Sequence, residues 1–218
     1  MIEFEMAKKI LKKNKLVVVI RSDSFDETVR IAENCISVGV KAVEITFTAP
    51  RPHRIIELLS EKYEETGVVI GAGTVLDSET ARIAMLSGAD FIVSPAVDKE
   101  MIKMCNRYGV LSIPGVFTPA DIKLAKEYGA PMVKLFPASN INPKMISILN
   151  GPFPNTDFMV TGTMDEKLAK EWIDNGALTV GVGGAICGSA KTGDFETVKK
   201  KAKSFIDVLT KEEKNYAE

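Results

Sequence analysis

Residues 89–119, ADFIVSPAVDKEMIKMCNRYGVLSIPGVFTP, contain one complete turn of the alternation that decides the fold. FIVS (91–94) is a short apolar run rich in β-branched and aromatic residues. The chain then turns through SPAVD, Asp98 stands where a helix N-cap belongs, and 98–107 follows with an amphipathic pattern before Gly109 ends it. A second apolar run, VLSIP (110–114), comes next. Neither run alternates cleanly between apolar and polar, so both read as strands covered on two faces, as in a parallel sheet flanked by helices.

Outward from this unit the rhythm repeats. LVVVI (16–20), AVEIT (42–46) and VVIGAG (68–73) precede it, and MVKLF (132–136), FMVTG (158–162) and TVGVG (179–183) follow, which makes eight runs. Amphipathic stretches lie near 24–38, 50–66, 77–87, 98–107, 118–128, 142–149, 165–175 and 194–212. Asp77, Asp98 and Thr118 are candidate N-caps, and Gly39, Gly67, Gly88, Gly109, Gly129 and Gly176 follow helix ends. Eight β-α units predict a (β/α)8 TIM barrel of α/β class, preceded by an extra N-terminal helix over 3–13. An open doubly wound sheet is the other arrangement of the same elements. No linker or low-complexity segment divides the chain, so residues 1–218 read as one domain with a polar end fraying over 213–218.

Composition narrows the functional classes. Hydrophobic residues make up 45% and charged residues 26% of 218, enough apolar mass for a sizeable core, which excludes disorder and fibres. The net charge is −1 with basic residues dispersed, so no nucleic-acid partner is expected. No apolar run approaches the ~20 residues of a bilayer span, and the opening segment mixes charge with an amphipathic rhythm unlike a signal peptide. No membrane partner and a cytoplasmic location are expected. Cys35, Cys105 and Cys187 lie far apart without a C-x-x-C pair and read as reduced, buried thiols.

Charge inside a two-faced strand is costly unless it is paired or neutralised, so ionisable residues there carry information. Among the eight runs these are Arg21, ending the first, Glu44 in the second and Lys134 in the sixth. Side chains alternate along a strand, which puts Glu44 on one face with Ala42 and Thr46, and Lys134 with Met132 and Phe136. If those faces turn inward, the two meet across the barrel near the carboxyl ends of the strands, where such folds build active sites. A guanidinium grips a carboxylate, an amine attacks a carbonyl and a carboxylate moves protons, a set suited to a 2-oxo acid. An apolar setting around Lys134 disfavours the ammonium and exposes the nucleophilic amine. The plainer alternatives are a structural Glu44–Lys134 ion pair and an Arg21 that caps the rim.

The last two runs end in VTGTMD (160–165) and VGVGGAICGS (180–189). Loops at these places often hold phosphate through backbone N–H groups, which makes Gly162, Thr163, Gly183 and Gly184 the natural donors. GAGT (71–74) puts Thr74 at the same rim, either supporting a carboxylate or capping a helix. Pro95 in SPAVD, and the prolines of IPGVFTP (113–119) and LFPAS (135–139), fix the chain around the mouth. His53 is the one histidine, no Cys, Asp or Glu cluster has ligand spacing, and GVGGAICG departs from the dinucleotide fingerprint. Neither a metal nor another cofactor is implied.

With VVVIR, VEITFT, IGAGTV, FIVSPAV, IPGVFTP, VKLFPAS, GPFPN, VTGT and VGVGG all in order, nearly the whole chain resembles the class I 2-keto-3-deoxy-6-phosphogluconate and 4-hydroxy-2-oxoglutarate aldolases. The resemblance implies a homotrimer of (β/α)8 barrels with no cofactor, acting on a 2-oxo sugar acid phosphate and releasing pyruvate. It implies that Lys134 forms the Schiff base, Glu44 is the general acid/base, Thr74 touches the pyruvate carboxylate, and Gly162, Gly183 and Gly184 surround the phosphate. Thr48, Pro95 and Phe136 join the substrate-contact set. Thr48 stands where many members carry an arginine; others have an arginine ending the first strand, as Arg21 does here, so the carboxylate clamp is assigned to Arg21. Thr163 replaces the glycine of the more usual T-G-G and keeps a backbone N–H under a bulkier side chain. The galactonate epimer of the substrate, a phosphate-binding barrel isomerase or epimerase and a non-catalytic sugar-phosphate binder are the competing readings.

Overall fold

The computed structural model describes residues 3–210; the expected fraying at 213–218 lies outside them. Nine strands form one sheet: β1 Leu16–Ile20, β2 Ala42–Thr46, β3 Val69–Gly73, β4 Phe91–Val93, β5 Leu111–Ile113, β6 Gly115–Val116, β7 Val133–Leu135, β8 Phe158–Thr161 and β9 Thr179–Val182. Their order is β5-β4-β3-β2-β1-β9-β8-β7-β6, and neighbouring strands pair in parallel.

β5 and β6 are two halves of one stave. They are separated only by Pro114, with β5 on β4 and β6 on β7. Proline has no N–H for the ladder, but its carbonyl still accepts the Lys134 N–H at 2.8 Å. The stave therefore bends at Pro114 and joins the two ends of the sheet, which makes a barrel of eight staves and rules out the open doubly wound arrangement. The fifth run, read as ending at Pro114, continues through Gly115 and Val116.

Helices alternate with the staves and begin where the cap chemistry places them. Asp77 and Asp98 each accept an N–H at 2.6 Å, from Thr80 and Met101, while Thr118 and Asp121 close a capping box. Two apolar layers result. Val18, Ile20, Val43, Ile45, Val180 and Val182 face outward onto the helices. Val17, Ala42, Val69, Phe91, Leu111, Met132 and Met159 fill the barrel interior. The helix Phe4–Asn14 plugs the amino-terminal end of that interior with Ala7 and Leu11. Space inside is tight enough to require glycine: a Cβ on Gly71 would fall within the Phe91 ring. Among the described residues, no helix is long and apolar enough to cross a membrane.

Candidate active site

Glu44 sits in β2 beside Val19 of β1 and Gly71 of β3, and shares the inward face of Ala42. Its side chain is 1% exposed and leans over Gly73, where a Cβ would overlap Oε1. Oε2 is buried without a hydrogen-bond partner. Burial pushes the Glu44 carboxyl above the ordinary carboxylate range, while the nearby Lys134 and Arg21 charges pull it back. A carboxyl set this way can hold a proton and give it up, as a general acid/base must.

Lys134 lies in β7 between Gly115 and Met159 and is 6% exposed. Its Nζ stands 4.8 Å from the centre of the Phe136 ring. Among the described residues, no carboxylate lies within 4.0 Å of that amine. Glu44 and Lys134 therefore sense each other electrostatically without closing the ion pair that a purely structural role would predict.

Arg21 emerges at the end of β1, where its Nη1 donates to Thr48 Oγ1 at 2.7 Å and Nη2 to Thr74 Oγ1 at 3.1 Å. Thr48 in turn shares a 2.9 Å hydrogen bond with Thr46, whose hydroxyl donates to the Ile20 carbonyl at 3.2 Å. The guanidinium is thus oriented by hydroxyls rather than neutralised by a carboxylate, and keeps its full charge for an anion. Thr74 is not the N-cap of the following helix, a role Asp77 fills. Instead it takes φ 57°, a left-handed conformation rare for a β-branched residue, directly beside Arg21.

The remaining rim residues come from β4, β7, β8 and β9. Pro95 follows β4 and packs so closely on Gly115 that a Cβ there would overlap the Pro95 carbonyl. Phe136 follows Lys134 and donates its N–H to the Val116 carbonyl at 3.1 Å. Gly162 lies against the loop after β7, with space for a Cβ closed by the Ser139 nitrogen at 2.8 Å. The Thr163 N–H, expected to face an anion, instead donates to Ser139 Oγ at 2.9 Å. Gly183 precedes the short helix Gly184–Cys187, and a Cβ on Gly184 would meet nothing within 4 Å.

The residues expected to meet the substrate therefore gather toward the carboxyl ends of the strands, with the amine and carboxyl inside and the guanidinium and glycine loops at the mouth. Thr46 and Ser139 belong to the same constellation but escaped the sequence reading. Thr46 carried a usable sign, its shared face with Glu44; Ser139 lay in LFPAS, read only as a shaping loop. His53 stands in the first turn of the helix Pro52–Lys62 that follows β2, and among the described residues no group of three His, Cys, Asp or Glu is placed to hold a metal.

Comparison with known proteins identifies relatives of the whole chain. The family model for KDPG and KHG aldolases matches residues 7–201. The 2-dehydro-3-deoxy-phosphogluconate aldolase of Haemophilus influenzae is 36% identical over 153 residues, covering 70% of this chain and 71% of that protein. The 2-dehydro-3-deoxy-6-phosphogalactonate aldolase of Escherichia coli K12 is 31% identical over 193 residues, covering 88% and 92%. The crystal structure of the 2-keto-3-deoxy-6-phosphogluconate aldolase of Zymomonas mobilis ZM4 with 3-phosphoglycerate superposes with a TM-score of 0.80 at 26% identity, covering 90% and 93%.

Proposed function

This chain belongs to the KDPG and KHG aldolase family of aldehyde-lyases, and on that premise we propose that it cleaves 2-keto-3-deoxy-6-phosphogluconate to pyruvate and glyceraldehyde 3-phosphate through an imine on Lys134. The observation that carries the reading is the pair of inward groups, Lys134 and Glu44, both buried and both unpaired by an ion contact.

Lys134 Nζ attacks the C2 carbonyl, and Glu44 supplies the proton that lets the carbinolamine lose water. The resulting iminium withdraws electrons from the C3–C4 bond. That bond breaks as the C4 hydroxyl gives up its proton to the Glu44 carboxylate left by the dehydration step, glyceraldehyde 3-phosphate leaves, an enamine stays on Lys134, and Glu44 holds the proton for return to C3. A proton returns to C3, and hydrolysis of the imine frees pyruvate and the amine. Arg21, aimed by Thr48 and Thr74, clamps the substrate carboxylate; Pro95 and Phe136 wall the pocket; and the glycine loops at Gly162, Gly183 and Gly184 take the phosphate.

The galactonate epimer is a second reading, favoured by the long match to the phosphogalactonate aldolase. Side-by-side cleavage assays of both epimers and of 4-hydroxy-2-oxoglutarate decide between them; fastest turnover of the gluconate compound supports the first reading. A homotrimer in the cytoplasm completes the proposal. Ile83 and Leu86 are exposed three residues apart on the helix Ser78–Leu86, which puts them on one face, and Leu76 is exposed just before that helix; exposed apolar side chains of this kind suit contact with a second copy. Three free, buried thiols suit a reducing compartment.

A further inference from the structure

The loops after β7 and β8 are fastened together beyond the end of their ladder. In the strands, Lys134 pairs with Met159 and Leu135 with Val160. Past them the Ala138 N–H donates to the Thr161 carbonyl at 3.0 Å, and the Thr163 N–H donates to Ser139 Oγ at 2.9 Å. Between these two bonds Gly162 presses on the Ser139 and Ala138 backbone with no room for a Cβ. The segment that carries the reactive amine and the segment with the glycine turn are therefore one rigid edge of the mouth.

This arrangement changes which group can meet an anion there. The Thr163 N–H is already spent on Ser139, so it is not free to face a phosphate. A serine hydroxyl that accepts an N–H still has its own proton to donate, and accepting one bond polarises it toward giving another. Ser139 is exposed at the mouth, within the same edge. We infer that Ser139 is a specificity-determining residue: held by the Thr163 amide, its hydroxyl is the donor to the phosphate of the sugar acid, in the place that the amide would otherwise fill. The inference rests on the aldolase reading above and adds a phosphate contact to it.

The experiment compares wild type, Ser139→Ala and Ser139→Thr on 2-keto-3-deoxy-6-phosphogluconate and on unphosphorylated 2-keto-3-deoxygluconate, with borohydride trapping of pyruvate on each protein as a control for the amine. Loss of one hydrogen bond to a charged group predicts a fall of roughly tenfold in kcat/KM for the phosphorylated substrate in Ser139→Ala, carried mainly by KM. The unphosphorylated substrate and the trapping yield should hold, and Ser139→Thr should recover most of the loss. An equal fall on both substrates, or no fall on either, overturns the inference while leaving the aldolase reading in place if wild type traps pyruvate. Failure of wild type to trap pyruvate overturns both.

Discussion

A methyl group on Gly73 would occupy the volume that Glu44 Oε1 holds: the third stave lacks a side chain at the point where the second stave's carboxyl lies across it. The glycine and the carboxyl are one feature, because the buried side chain needs that gap to reach the centre of the barrel.

Gly73→Ala should therefore displace Glu44 before it unfolds the protein. Overpacking of this size costs about 1–3 kcal/mol, which a barrel tolerates, whereas a shifted acid/base loses most of its effect. The expected result is a folded protein with a modestly lowered Tm and a large loss of kcat. A variant with full kcat would contradict the placement of Glu44 in the chemistry.

Glu44→Gln should separate stability from function. Burial lifts the Glu44 carboxyl above the ordinary range, so the folded state keeps a proton that the unfolded state releases. Stability is then fully present below the ordinary carboxylate range and is lost as pH rises through the lifted value. The neutral amide removes that loss. Its melting temperature should exceed that of wild type at about pH 7, with the difference closing at about pH 4 and below, near the unperturbed value for glutamate. Turnover should fall by about 10²–10⁴, the usual worth of a general acid/base, while pyruvate is still bound. A variant less stable than wild type at neutral pH would show that the carboxyl is held in its charged form instead.

Thr74 tests the rim. Its left-handed backbone costs about 1–3 kcal/mol, and its hydroxyl helps aim Arg21. Thr74→Gly should relieve the first and lose the second, giving an unchanged or higher Tm and a raised KM. Thr74→Val should raise KM roughly tenfold without the gain in Tm, since valine keeps the strain and drops the hydroxyl. Equal KM values for wild type and Thr74→Val would remove the Arg21–Thr74 bond from substrate binding.

Much of this was legible from the chain alone, for identifiable reasons. Strands buried on two faces tolerate few charges, so Glu44 and Lys134 stand out in AVEIT and MVKLF, and alternation along each strand gives their shared orientation. Cap residues at Asp77, Asp98 and Thr118 mark helix starts because their side chains satisfy local N–H groups only a few positions away. What was not legible depends on distant partners. A proline reads as the end of a strand; that the stave resumes at Gly115 depends on β7 lying alongside. Thr74 fits a cap as well as it fits a strained rim position until Asp77 is seen to cap the helix. The Thr163 amide reads as free until Ser139, 24 residues earlier, is found against it.

The central claim is that Lys134 is the nucleophile, and the most direct measurement is peptide mass analysis after incubating the intact protein with pyruvate and borohydride. One reduced pyruvyl group on the peptide that contains Lys134, absent without pyruvate and absent in Lys134→Met, is the predicted result. A protein that gains no such mass, or gains it on another lysine while Lys134 stays unmodified, contradicts it.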